Sequence, residues 1–98
     1  MRPRRTKRDL NHAEVRDGCR DLGMVVWDLA DLGGDVLDLV VCWNGRCLPI
    51  EVKQPGLEND LTEGEQASIK ALRAVGVEVV VVTCVEDVVM SFEKCTKL

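Results

Sequence analysis

The dipeptide Asn44-Gly45 stands between two apolar runs, Val36 to Trp43 and Arg46 to Lys53, and few features constrain a short chain more. A type I′ turn needs positive φ at both central residues, which asparagine tolerates and glycine adopts freely, and its twist matches that of the strands it joins. The sequence therefore predicts a two-residue β-hairpin in which facing positions have numbers summing to 89. Trp43 and Arg46 close it as a hydrogen-bonded pair, and the pair type alternates outward from there.

By this count Asp38 faces Glu51 in a non-hydrogen-bonded pair, the closer kind, with Cα atoms about 4.5 Å apart. Like charges directly opposite one another destabilise a sheet, so two carboxylates there need compensation, and a divalent cation is the natural one. Side chains alternate along a strand, which sets Glu51 and Lys53 on the face of Asp38 and turns Leu39, Ile50 and Val52 toward apolar surroundings. Oxygen donors of this kind suit Mg²⁺ or Mn²⁺, hard ions that keep several waters and leave positions open for phosphate oxygens. Solvent-facing carboxylates with Lys53 as an exposed ion-pair partner, contributing under about 1 kcal/mol, are the bland alternative. A central place for this strand disfavours it. Pro49 adds a condition: its missing N–H points away from the first hairpin strand, so the neighbour on the other side must begin pairing beyond it.

The rest of the chain supplies helices and two more strands. Asn11 precedes Val15, Cys19 and Leu22 at helical spacing, and Gly23 can end that helix in a left-handed cap; Gly18 inside it costs about 1 kcal/mol relative to alanine. Met24 to Leu29 reads as a strand, and Leu32-Gly33-Gly34 breaks the pattern. After Gln54-Pro55-Gly56, Thr62-x-x-Glu65 is a capping box opening a helix through Ile69 and Leu72 that Gly76 stops. Val77 to Thr83 is a nearly unbroken valine run, as in a strand covered on both faces and parallel to its neighbour. Thr83-x-x-Glu86 then caps a last helix, whose Val85, Val88, Val89 and Phe92 form one stripe that packs on the sheet. The order αβββαβα, without repeats or linkers, predicts a three-layer α/β sandwich on a mixed sheet.

Ninety-eight residues make one domain, divided into a basic arm over residues 1–8 and a folded body over 9–98. No apolar run approaches a membrane span and no secretion signal is visible, so a soluble, cytoplasmic protein is expected. Five cysteines without a C-x-x-C pair argue against a disulfide framework or zinc ribbon. Cys42 and Cys47 also face each other in the hairpin register. Reduced thiols are the expected state in a cytosol, with oxidation able to cross-link the hairpin. The net charge of −4 hides an asymmetry, since Arg2, Arg4, Arg5, Lys7 and Arg8 are five of thirteen basic residues and leave eight against seventeen acidic ones. An acidic body disfavours broad phosphate binding. The arm either neutralises phosphates or is a solvated charge run.

On these residues the chain resembles the VRR-Nuc branch of the PD-(D/E)xK nuclease superfamily. The matching elements are Asp38-Leu39-Val40-Val41, Ile50-Glu51-Val52-Lys53-Gln54-Pro55, Leu61-Thr62 with Glu65-Gln66, and Gly76-Val77-Glu78-Val79. E-x-K alone is weak, but Asp38 thirteen residues before Glu51 with a hairpin between them is fairly specific. The resemblance implies a restriction-endonuclease-like core and Mg²⁺ or Mn²⁺ held by Asp38, Glu51 and the carbonyl of Val52. Lys53 would help position the attacking water. It further implies phosphodiester hydrolysis and, for a short phage-type member, a homodimer acting on branched or Holliday-junction-like DNA. Glu14 matches a first-helix glutamate that the family often adds to the metal site, and equally reads as the capping partner of Asn11. Gln66 matches a glutamine beside the active-site lysine, and equally reads as a solvated first-turn residue. His12 reads as a surface residue. The family's proline before the aspartate is Leu37 here, and Asp35 is a competing carboxylate whose parity turns it to the opposite face. A noncatalytic nucleic-acid-binding or regulatory module that keeps the fold is the second expectation. A small-molecule enzyme finds no glycine loop or nucleophile–histidine pair to support it.

Overall fold

The computed structural model describes residues 7–34 and 36–94, with side chains from Asn11 onward. Arg2, Arg4, Arg5, the side chains of Lys7 and Arg8, Asp35 and Cys95 lie outside the described residues. The chain is a mixed α/β domain. In order it forms α1 (Lys7–Asp21), β1 (Val25–Asp28), a 3₁₀ turn (Ala30–Leu32), β2 (Leu39–Trp43), β3 (Arg46–Val52), α2 (Glu63–Ala74), β4 (Val80–Val82) and α3 (Val85–Lys94). The sheet order is β1-β2-β3-β4, antiparallel between the first three strands and parallel between β3 and β4. β3 is thus internal, as the valine run required.

The turn has the expected chemistry, with φ of 54° at Asn44 and 80° at Gly45. Its register runs from Trp43↔Arg46 to Leu39↔Ile50, every pair summing to 89. The parallel ladder begins at Ile50↔Val80, one residue past Pro49, where the ring leaves no N–H to donate. β4 is shorter than the valine run because β3 offers it only Ile50, Glu51 and Val52. Cys42 and Cys47 face each other and are joined as a disulfide rather than left as two thiols. Cys19 is a free core thiol, pushed up to about 11 by burial.

Alternation distributes the strands between two cores. Leu39, Val41, Leu48, Ile50, Val52 and Val82 pack with Val15 and Cys19 of α1 and Val88 and Phe92 of α3. On the opposite face Leu37 and Val79 pack with Ile69 of α2, flanked by Leu61, Leu72 and Val81. Val85 and Val89 complete the α3 stripe against the larger core, whereas Leu22 is exposed at the end of α1.

Two helix starts differ from expectation. α1 begins at Lys7, so Asn11 is interior and caps nothing; its amide instead donates to the Lys53 carbonyl at 2.7 Å. At α3 the carboxylate that caps is Asp87, not Glu86: Asp87 Oδ2 accepts from the Thr83 N–H at 3.0 Å and the Thr83 hydroxyl at 3.2 Å. The α2 box forms as read, Thr62 and Glu65 each accepting from the other's N–H. Its end is a Schellman closure: the Val77 N–H donates to the Leu72 carbonyl and the Gly76 N–H to that of Arg73, with Gly76 at φ 89°.

Gly18 is a close-approach position. A Cβ built there would lie 2.5 Å from Val85 Cγ2, where α1 crosses α3. Helix propensity favours Gly18→Ala by about 1 kcal/mol, but overpacking of this kind costs about 1–3 kcal/mol, and the β-branched Val85 has little rotamer freedom to yield. The expected result is a lower denaturation midpoint for Gly18→Ala, recovered when Val85→Ala is added. A stabilised single variant would contradict it.

Candidate functional site

Three charged side chains are buried among the described residues: Asp38 at 6 % exposure, Glu51 at 1 % and Lys53 at 7 %. They lie together at one end of the sheet, where β2 starts and β3 ends. Glu51 and Lys53 share the α2 face of β3 by alternation, because Ile50 and Val52 belong to the opposite core.

Asp38 refines the register. Strand pairing stops at Leu39↔Ile50, one pair short of Asp38 and Glu51, and Asp38 sits in a bend. Its carboxylate takes over the ladder: Oδ2 accepts from the buried Val52 N–H at 2.9 Å. The Asp38 carbonyl meanwhile accepts from the Leu29 N–H at 2.8 Å, which fixes the bend to the end of β1. In a strand a residue's N–H and C=O point to the same side, so the Val52 carbonyl opens toward Asp38.

Glu51 is the electrostatically costly member. Its carboxyl is pushed up to about 8, first by burial, then by a hydrogen bond with Glu65 and by repulsion from Asp38, with Lys53 opposing. Lys53 Nζ donates to Glu65 Oε1 at 3.0 Å and lies 3.9 Å from Glu51 Oε2. Burial alone would also raise Glu65. Hydrogen bonds from Glu51, the Thr62 N–H and Lys53 outweigh it and hold its carboxyl down to about 2. Glu51 and Glu65 thus share a carboxyl–carboxylate hydrogen bond beside one ammonium.

The remaining predicted residues fall elsewhere. Glu14 is exposed on α1, the helix that packs on the opposite sheet face, and borders a hollow with Asn11, Thr83 and Glu86. Gln66 is exposed, its amide donating to the Leu61 carbonyl at 2.9 Å. His12 pairs with Asp28 at 2.9 Å, and Asp28 also accepts from Arg16 at 2.8 Å. Two residues join the site that sequence reasoning did not assign to it. Glu65 was accounted for by its capping box, and Asn11 by a helix start; a glutamate in the first turn after an E-x-K strand was the available signal for the first.

A cation-binding role can be tested against this donor set. Among the described residues no group of three or more His, Cys, Asp or Glu side chains is arranged to hold a metal ion. Asp38 and Glu51 are two hard oxygen donors, buried and mutually repelling. With the Val52 carbonyl they suit an ion that keeps most of its own waters. The residues therefore fit a lightly ligated Mg²⁺ or Mn²⁺ and not a full protein cage. Comparison with family models, curated proteins and solved structures finds no match to this chain. No helix among the described residues is long and apolar enough to cross a membrane.

Proposed function

We propose that this chain is a metal-dependent nuclease of the VRR-Nuc type, built on a restriction-endonuclease-like core and hydrolysing phosphodiester bonds in DNA. One observation carries the reading: the charged side chains buried in the described domain are Asp38, Glu51 and Lys53. Burial of three ionisable side chains costs stability unless something compensates them, and a carboxyl displaced as far as that of Glu51 is of the kind that concentrates at functional sites. The order αβββαβα and the internal place of β3 agree with such a core.

In this reading Asp38, Glu51 and the Val52 carbonyl hold Mg²⁺ or Mn²⁺. The ion would lower the pKa of a bound water and stabilise charge on the phosphoryl oxygens. Asp38 keeps the end of β3 in register through the Val52 N–H, so the two carboxylates stay apposed. Lys53 presents a buried ammonium beside them, able to orient the attacking water or to neutralise a phosphoryl oxygen. The basic residues Arg2, Arg4 and Arg5, with Lys7 and Arg8 in the first turn of α1, would meet phosphate, and a homodimer would offer two sites to a branched substrate.

The test is incubation with duplex, single-stranded, flapped and four-way-junction DNA, with Mg²⁺, Mn²⁺ or chelator, alongside Glu51→Ala and Lys53→Ala. Cleavage is expected only with metal, strongest on branched DNA, and lost in both variants. Cleavage that survives both substitutions overturns the site. Binding without cleavage, indifferent to metal, would instead identify a noncatalytic module.

A further inference from the structure

We propose that Glu65 is a positioning residue: it holds the Lys53 ammonium and withholds it from Glu51. The inference rests on the nuclease reading only for its kinetic consequence. Lys53 Nζ stands between two carboxylates and sits closer to Glu65, at 3.0 Å against 3.9 Å to Glu51. Glu65 is itself immobilised. The oxygen that accepts from Lys53 also accepts from the Thr62 N–H at 2.9 Å, while the Glu65 N–H donates to the Thr62 hydroxyl at 3.1 Å. The anchor for the ammonium is therefore built into the first turn of α2.

A buried ammonium needs a counter-charge. Without Glu65 the neighbouring anion for Lys53 is Glu51, one of the two carboxylates assigned to the metal. Pairing there would neutralise a ligand and displace the ammonium from the place it takes beside a substrate phosphate. Capping alone does not explain a glutamate, because glutamine serves the capping box as well. Glu65→Gln thus removes the charge and keeps the helix start, which separates the two roles.

The experiment follows the Lys53 ammonium directly by ¹⁵Nζ NMR of the metal-free protein, assigned with Lys53→Met, and measures cleavage of a branched DNA with Mn²⁺. In the wild type the Lys53 signal is expected to exchange slowly with water. In Glu65→Gln exchange accelerates about 10-fold or more, kcat falls about 10- to 100-fold and KM stays close to wild type, while the melting temperature falls because the buried ammonium loses its counter-charge. Glu65→Ala shows the same kinetic loss and a melting temperature lower still, from the lost cap. An unchanged Lys53 signal in Glu65→Gln overturns the proposal, whatever happens to kcat. If the wild type cleaves no DNA with either metal while the Lys53 signal still loosens, the nuclease reading fails and the anchoring stands. Should Glu65→Gln not fold, Glu65→Asp keeps the charge but draws it back by one methylene, and the Lys53 signal is expected to loosen there too; an unchanged signal overturns the proposal equally.

Discussion

Replacing Glu51 by glutamine is expected to abolish cleavage and, in chelator, to make the protein more stable, by an amount that grows with pH. The loss of activity follows from removing an anionic ligand, a fall of about 10³ in kcat or some 4 kcal/mol of transition-state stabilisation. The gain in stability follows from linkage. The Glu51 carboxyl moves from an ordinary 4.5 to about 8 in the folded protein, through burial, the Glu65 hydrogen bond and Asp38. Between those values the folded state retains a proton that the unfolded chain has released, so stability falls as pH rises through the window. The cost is absent below about 4.5 and complete above about 8.

Glutamine cannot ionise and removes that slope. At one pKa unit per 1.36 kcal/mol, the variant should gain roughly 2–4 kcal/mol over wild type at pH 9, and little at pH 5. Glu65 works in the other direction. Its carboxyl is held down to about 2, so its contribution is present above about 4.5 and lost as pH falls toward 2. Thermal denaturation of both proteins in chelator from pH 5 to 9 checks the prediction. Parallel pH profiles would show that Glu51 does not carry the cost.

Asp38 should separate into two functions by substitution. Asp38→Ala leaves the buried Val52 N–H without its acceptor, a loss of about 1–3 kcal/mol. Asp38→Asn retains an oxygen for that N–H and is expected to stay within about 1 kcal/mol of wild type. Both variants lose the second anionic ligand, so cleavage falls about 10²- to 10³-fold in each. Denaturation midpoints and cleavage rates decide it, with hydrogen exchange at the Val52 amide as a local probe. If Asn destabilises as much as Ala, the Val52 bond is not what holds the bend. If either variant cleaves at the wild-type rate, Asp38 is no part of the site.

What could be read from the chain was what local chemistry controls. Asn44-Gly45 sets a turn, the turn sets a register, and the register brings Asp38, Glu51 and Lys53 to one place without knowledge of any distant contact. Pro49 likewise announced where the parallel ladder begins. The losses came where a residue answers to a partner far along the chain. Glu65 satisfies its capping box with the same oxygen that receives Lys53, twelve residues away, and the local partner accounts for the residue so well that the distant one is invisible. Asn11 reaches the Lys53 carbonyl across forty-two residues; its capping propensity concealed that role once a basic run was read as an arm. Gly18 reads as a weak point of a helix because propensity scales know nothing of Val85 on the helix that crosses it. At α3, Glu86 and Asp87 both offer a carboxylate near the start, and only the helix phase shows which one meets Thr83.

The hairpin register also governs how the length of this chain can drift over evolutionary time. Since the side-chain repeat of a strand is two, one residue inserted within β2 or β3 would move Asp38 and Glu51 to opposite faces and turn the core residues beyond the insertion outward. The segment between Asp38 and Glu51 is thus locked in length as well as in composition. Between β3 and α2 the situation is reversed. Residues 55–60 are exposed, and lengthening such a loop costs only about 0.6 kcal/mol per doubling. Length variation among descendants of this chain should gather there, beside the site yet outside its geometry.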